Sequence, residues 1–157
     1  MKIEYRKGDL FQTEIETIIH GCNAQGVMGS GIAKIIREKY PKAYERYVAE
    51  YSLHNKLALG KVIIVPCGDR KNDPTNYKII VNAITQEFFG REDVRYVSYD
   101  AIDDAMTRIN RFTETYGITQ IAMPQNGAGL GNGSWEVISA IIEHRLVHVT
   151  PVVYILE

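Results

Sequence analysis

The 157-residue chain is predicted to fold as a three-layer α/β/α sandwich. Three observations lead there. Short β-branched runs alternate with helical patterns along the whole length, and two of the strand-to-helix junctions are rich in glycine. With 45% hydrophobic and 24% charged residues, the composition suits one ordinary core, a single domain over residues 1–157.

Each element has its own signal. Alternation in Lys2-Ile3-Glu4-Tyr5-Arg6 predicts a half-buried strand, Gly8-Asp9 a turn, and Thr17-Ile18-Ile19-His20 a second strand. After Gly29-Ser30-Gly31, the apolar residues Ile32, Ile35 and Ile36 recur at helical spacing; Tyr40-Pro41 closes that helix and Pro41 opens the next. Tyr44, Tyr47 and Tyr51 fall on one face of this second helix and are assigned to packing. Gly60 to Pro66 and Tyr77 to Asn82 are β-branched runs joined by a polar loop with Asp73-Pro74 as its turn signal. Ser98 is an N-cap for an amphipathic helix bearing Ile102, Ala105, Met106, Ile109, Phe112 and Tyr116, and Gly117 stops it. Ile118 to Met123 is a strand, Pro124 to Gly133 a second glycine-rich loop, Trp135 to Leu146 a helix capped by Ser134, and Val149 to Leu156 a final strand.

Composition narrows the function classes. A formal net charge of -1 provides no broad basic field, so binding along a nucleic-acid backbone is not suggested. Cys22 and Cys67 are too few for a disulfide framework or a structural zinc site, which points to a reducing compartment. The opening MKIEYRKGDL is charged where a signal peptide needs an apolar run, and no stretch approaches the roughly 20 apolar residues of a membrane span. A soluble, cytoplasmic monomer is expected.

The glycine loops carry the chemistry. Gly26-Val27-Met28-Gly29-Ser30-Gly31 and Gly127-Ala128-Gly129-Leu130-Gly131-Asn132-Gly133 each follow a strand and precede a helix. Bare backbone there can point N–H groups into one concavity beside a helix N-terminus, which holds phosphate without lysine or arginine. No GxxxxGK[ST] is present, and Lys34 stands where the dinucleotide fingerprint wants its third Gly or Ala. Phosphatase chemistry of the Cys-x5-Arg kind is excluded, because Met28 and Asp73 lie six positions after the cysteines. His20, His54, His144 and His148 show no metal-ligand spacing, so no obligatory metal or cofactor is expected. At a strand exit just before an anion loop, His20 is expected to project toward the ligand and exchange a proton with it. Asn23 either caps a turn or binds sugar hydroxyls, and Asp9 is either a turn residue or an acceptor for an exocyclic amine.

Together, Gly8-Asp9-Leu10-Phe11, His20-Gly21-Cys22-Asn23 with Gly29-Ser30-Gly31-Ile32-Ala33, and Met123-Pro124-Gln125 leading into Gly127-Ala128-Gly129-Leu130 resemble the macrodomain, or ADP-ribose-binding, family across essentially the whole chain. The resemblance is nearest to ADP-ribose 1''-phosphate phosphatases of the yeast type. It implies a central mixed, mostly parallel sheet and, as partners, ADP-ribose and ADP-ribose 1''-phosphate, with nucleic acid only as an ADP-ribosylated substrate. By the same resemblance Asp9 would bind the adenine amine, Leu10 would fix the ring through its backbone, and Asn23 and Phe89 would lie at the distal ribose. Gly29, Ser30, Gly31 and Ile32 would wrap the diphosphate, together with Gly127, Ala128, Gly129, Leu130 and Gly131. His20 and Asn23 would be catalytic, with His20 as acid, base or nucleophile. Removal of ADP-ribose from protein or DNA is the alternative activity, and a reader without chemistry is another. Deribosylation is weakened because Gly131 occupies the place of an acid, and Val81 to Gln86 offers no lysine.

Overall fold

The computed structural model describes residues 1–90, 94–125 and 132–156. In chain order the elements are β1 (Glu4–Lys7), a 3-10 turn (Leu10–Gln12), β2 (Thr17–Asn23), α1 (Gly31–Lys39), α2 (Pro41–His54), β3 (Val62–Cys67), β4 (Lys78–Gln86), α3 (Tyr99–Tyr116), β5 (Gln120–Met123), α4 (Trp135–Arg145) and β6 (Thr150–Ile155). The alternation expected from the sequence is the alternation observed. Two strands run further than their β-branched cores suggest: β2 continues through Gly21-Cys22-Asn23 and β4 through Ala83 to Gln86, because the two pair in parallel over this stretch, Gly21 with Ala83 and Cys22 with Ile84.

The sheet order is β1-β6-β5-β2-β4-β3. All neighbours are parallel except β3 and β4, so the sheet is mixed and mostly parallel. Side-chain alternation sorts the apolar residues into two cores. On one face Ile18, Cys22, Ile80 and Ile84 pack with Ile36 of α1 and Ala43 and Tyr47 of α2. On the other, Ile19, Val81, Ala83, Ile121 and Met123 pack with Ile102, Met106 and Ile109 of α3 and Ile138 and Ile142 of α4. Strands buried on both faces read as continuous apolar runs, which is what Ile18-Ile19 and Ile79-Ile80-Val81 are.

Helix ends follow their sequence signals. Pro41 occupies the first turn of α2, where its missing N–H has no helical partner to lose. The Ser98 hydroxyl accepts from Ala101 N at 3.1 Å, and Gly117 closes α3 in the left-handed region at φ 66°.

This topology sets the position of the site. Strands β2 and β5 are neighbours, but β2 leads to α1 on one face and β5 leads to α4 on the other. Connections that leave a parallel sheet in opposite directions open a crevice at the strand carboxyl ends, and ligands favour such a crevice. Ile18 lies level with Ala122; β5 ends one residue later at Met123, whereas β2 continues to Asn23.

Candidate functional site

The first glycine loop crosses one wall of this crevice, and a tyrosine buried beneath it sets its shape. The Tyr47 hydroxyl of α2 receives the N–H groups of Gly26 and Val27, both at 3.1 Å, and lies 2.7 Å from the Asn23 carbonyl and 2.8 Å from Asn23 Oδ1. Asn23 fastens the same loop from within: Oδ1 accepts from Gln25 N at 2.9 Å and Nδ2 donates to the Val27 carbonyl at 2.7 Å. Burial holds the Tyr47 phenol above its usual range, helped by nearby Cys22, so it remains a neutral donor at physiological pH.

Once the loop is anchored, its last residues are presented bare. Ser30, the N-cap of α1, makes no side-chain cap bond among the described residues, and the first helical bond is Lys34 N to the Ser30 carbonyl at 3.3 Å. The N–H groups of the opening turn therefore have no helical acceptor, and the helix adds positive potential there. Glycine is required for different reasons along the loop. Gly26, at φ 78°, lies under the Tyr51 ring, and an added Cβ would sit 2.8 Å from Cδ1. Gly31 is held at φ 61°. Gly29 is under neither constraint, since a Cβ there would meet only Val27 Cγ1 at an ordinary 3.5 Å. Among the described residues nothing requires residue 29 to lack a side chain.

Glu87 follows directly on β4. Its carbonyl accepts from Ala24 N at 3.3 Å and from Gln25 Nε2 at 3.1 Å, and its carboxylate lies 3.4 Å from the same amide. An acid is thus fixed beside the Asn23 loop. Among the described residues no group of three or more His, Cys, Asp or Glu side chains gathers to hold a metal ion.

A family model for the Macro domain matches residues 19–142, the stretch that contains the crevice. The chain belongs to the Macro domain family. Among curated relatives it is 30% identical to an ADP-ribose 1''-phosphate phosphatase of Candida albicans, over 93% of this chain and 96% of the relative. It is 28% identical to a DNA ADP-ribosyl glycohydrolase of Mycobacterium tuberculosis over 92% of this chain, spanning 38% of that longer protein. The solved macrodomain of Mycobacterium tuberculosis DarG superposes with a TM-score of 0.79 at 26% identity, covering 97% of this chain and 96% of the other.

In this macrodomain His20 does not face the crevice. The ring is wholly buried between the sheet and α2, with Nε2 2.5 Å from Asn82 Oδ1. Asn82 Nδ2 donates in turn to the Ala43 carbonyl of α2 at 3.1 Å, which fixes the amide and makes His20 Nε2 the donor. Burial lowers the imidazole pKa to about 4, against a smaller upward pull from Asn82. The expected role of His20 as acid, base or nucleophile is withdrawn: a ring with no exposed surface has no path to a bound phosphate.

The remaining expected residues are placed as follows. The half-buried Asn23 sits at the rim, with both ends of its amide engaged in the loop. Gly29 and Gly31 are exposed, and Ser30 and Ile32 partly so. Asp9 is exposed; Oδ1 caps the 3-10 turn by accepting from Phe11 N at 2.9 Å, while Leu10 is buried beneath it. Phe89, beyond the end of β4, is 53% exposed, a large apolar surface left in solvent. Gly127, Ala128, Gly129, Leu130 and Gly131 lie outside the described residues; the flanks of their loop leave β5 at Met123 and return at Asn132, whose Nδ2 donates to the Val94 carbonyl at 2.8 Å. Sequence reasoning missed Tyr47 and Glu87 as site residues. The tyrosine stripe was visible, but helical spacing carries no information about where a hydroxyl finds its partners.

Proposed function

We propose that this macrodomain binds ADP-ribose in the β2–β5 crevice and hydrolyses the terminal phosphate of ADP-ribose 1''-phosphate. The observation that carries the binding is the loop itself: tied down at Gly26 and Val27, it presents unblocked main chain from Gly29 into α1, and no contact among the described residues demands the bareness of Gly29. Backbone that a fold leaves bare without internal need is suited to close approach by a ligand, and the start of a helix suits a diphosphate. Likeness to the Candida albicans phosphatase over nearly the full length of both chains favours this substrate. Asp9 Oδ2 remains available to an adenine amine, and Phe89 to the distal sugar.

With His20 sealed in the core, proton transfer falls to a crevice-side group. Glu87 is assigned that part: held next to Ala24 and Gln25, its carboxylate takes a proton from the water as the water oxygen bonds to phosphorus, the P–O bond to the sugar breaks, and the proton passes to the departing sugar oxygen, leaving ADP-ribose and inorganic phosphate. Glu87→Gln should lower kcat by about 10²-fold or more while ADP-ribose affinity stays within a factor of two. Unchanged kcat would remove Glu87 from the chemistry.

Gly29→Ala separates binding from stability. The unfolding free energy should stay within the scatter of surface substitutions, about 0.5 kcal/mol, while calorimetric affinity for ADP-ribose falls at least tenfold. Equal affinity would show that the diphosphate does not touch this loop. A second reading, release of ADP-ribose from modified DNA, is favoured by the likeness to the mycobacterial DNA ADP-ribosyl glycohydrolase. Offering the purified protein ADP-ribose 1''-phosphate and ADP-ribosylated DNA in parallel decides between them, free phosphate marking the first activity and free ADP-ribose from DNA the second.

A further inference from the structure

A cavity of about 620 Å³ lies at the end of the sheet opposite the crevice, between the 3-10 turn, the α1–α2 junction and the loop joining β3 to β4. Lys39, Lys42 and Lys78 line it, and no Asp or Glu among the described residues does. Phe11 and Tyr40 supply aromatic wall.

Lys78, the first residue of β4, is only 6% exposed. Its Nζ donates to the carbonyls of Thr13 at 2.9 Å and Ile15 at 2.8 Å, two neutral acceptors that satisfy two of the three N–H groups and cancel none of the charge. Glu16 and Glu14 act on it from a distance, the Glu16 carboxylate being paired with Arg70 at 3.6 Å. A buried cation whose carboxylates act only from a distance is costly, and an anion delivered by a ligand would offset that cost. The 14-residue helix α2 also begins at this cavity: Pro41 has no N–H and Ala43 N already donates to the Tyr40 carbonyl at 2.9 Å, so what the helix adds there is the positive end of its dipole.

We propose that this cavity is a second ligand site, taking a phosphate monoester carried on a flat ring, with the anion held by Lys39 and Lys42 in the field of Lys78 and of the positive end of α2, and the ring set against Phe11 and Tyr40. The volume argues for more than a bare ion, since it falls in the range of small-molecule sites and far exceeds one phosphate. The site is separate from the crevice and does not depend on the activity assigned there.

The test is a calorimetric titration of the whole chain with phenylphosphonate, a phosphate-monoester mimic that a phosphatase cannot cleave, in the presence of excess ADP-ribose. Phenol and inorganic phosphate serve as the part-ligands. One-to-one binding is expected, about tenfold tighter than either part, unaffected by ADP-ribose, and weakened about tenfold in Lys39→Gln/Lys42→Gln, whose two exposed positions leave the melting temperature unchanged. Absence of saturable binding would overturn the proposal. So would binding no tighter than inorganic phosphate, displacement by ADP-ribose, or indifference to the lysine substitutions.

Discussion

Gly26→Ala should destabilise the protein by about 2–5 kcal/mol, a large share of the margin of a domain this size. Two costs combine. An L-residue at φ 78° is in the left-handed region, worth about 1–2 kcal/mol, and the new methyl would lie 2.8 Å from Tyr51 Cδ1 and 2.9 Å from Cγ, so the ring or the loop must move. If the loop moves, the bonds from Gly26 N and Val27 N to the Tyr47 hydroxyl are lost and ADP-ribose affinity falls with stability. Urea unfolding measures the total. Repeating the substitution in a Tyr51→Ala background isolates the backbone part: with the ring gone, only the φ cost of about 1–2 kcal/mol should remain. A wild-type midpoint for Gly26→Ala would mean the loop does not rest on Tyr51 as described.

Most of the fold was legible because the β-branched runs and the helical apolar spacing agreed on where each element lies. The errors came where a strand outlasted its β-branched residues. Reading β2 as ending at His20 put the imidazole at a strand exit, aimed at the ligand; in the structure Gly21, Cys22 and Asn23 prolong the strand, because β4 beside it supplies the pairing. His20 thereby becomes a mid-strand residue, and alternation with Ile18 and Cys22 turns it toward α2. No local signal in Gly21-Cys22-Asn23 reveals that extension, since it depends on a strand about sixty residues away. The anion loop was legible from its glycines alone, but their separate duties were not: Gly26 answers to Tyr51 on α2, Gly31 to its own backbone, and Gly29 to nothing among the described residues. The cavity around Lys78 was likewise invisible, its parts coming from four separate stretches of chain.

The buried imidazole makes stability fall on the acid side of neutrality. In the folded protein His20 titrates at about 4, whereas in the unfolded chain it has the ordinary value near 6.5. Above about pH 6.5 the ring is neutral in both states, and the full stability is present. As the pH drops from there toward 4, the unfolded chain binds a proton that the folded ring refuses, and the balance shifts toward unfolding. A gap of about 2.5 units corresponds to roughly 3 kcal/mol, lost progressively across that window and constant below it. The cause is burial: a charged ring would retain its bond to Asn82 but lose all contact with water. Chemical denaturation at pH 7.5, 6, 5 and 4 should trace this decline. The control is His20→Asn, which keeps a side-chain donor for the Asn82 carbonyl oxygen and removes the titration. Its unfolding free energy should lack this component, leaving only the slope due to the carboxylates. An identical decline in both proteins would mean that His20 is not the buried neutral base the structure describes.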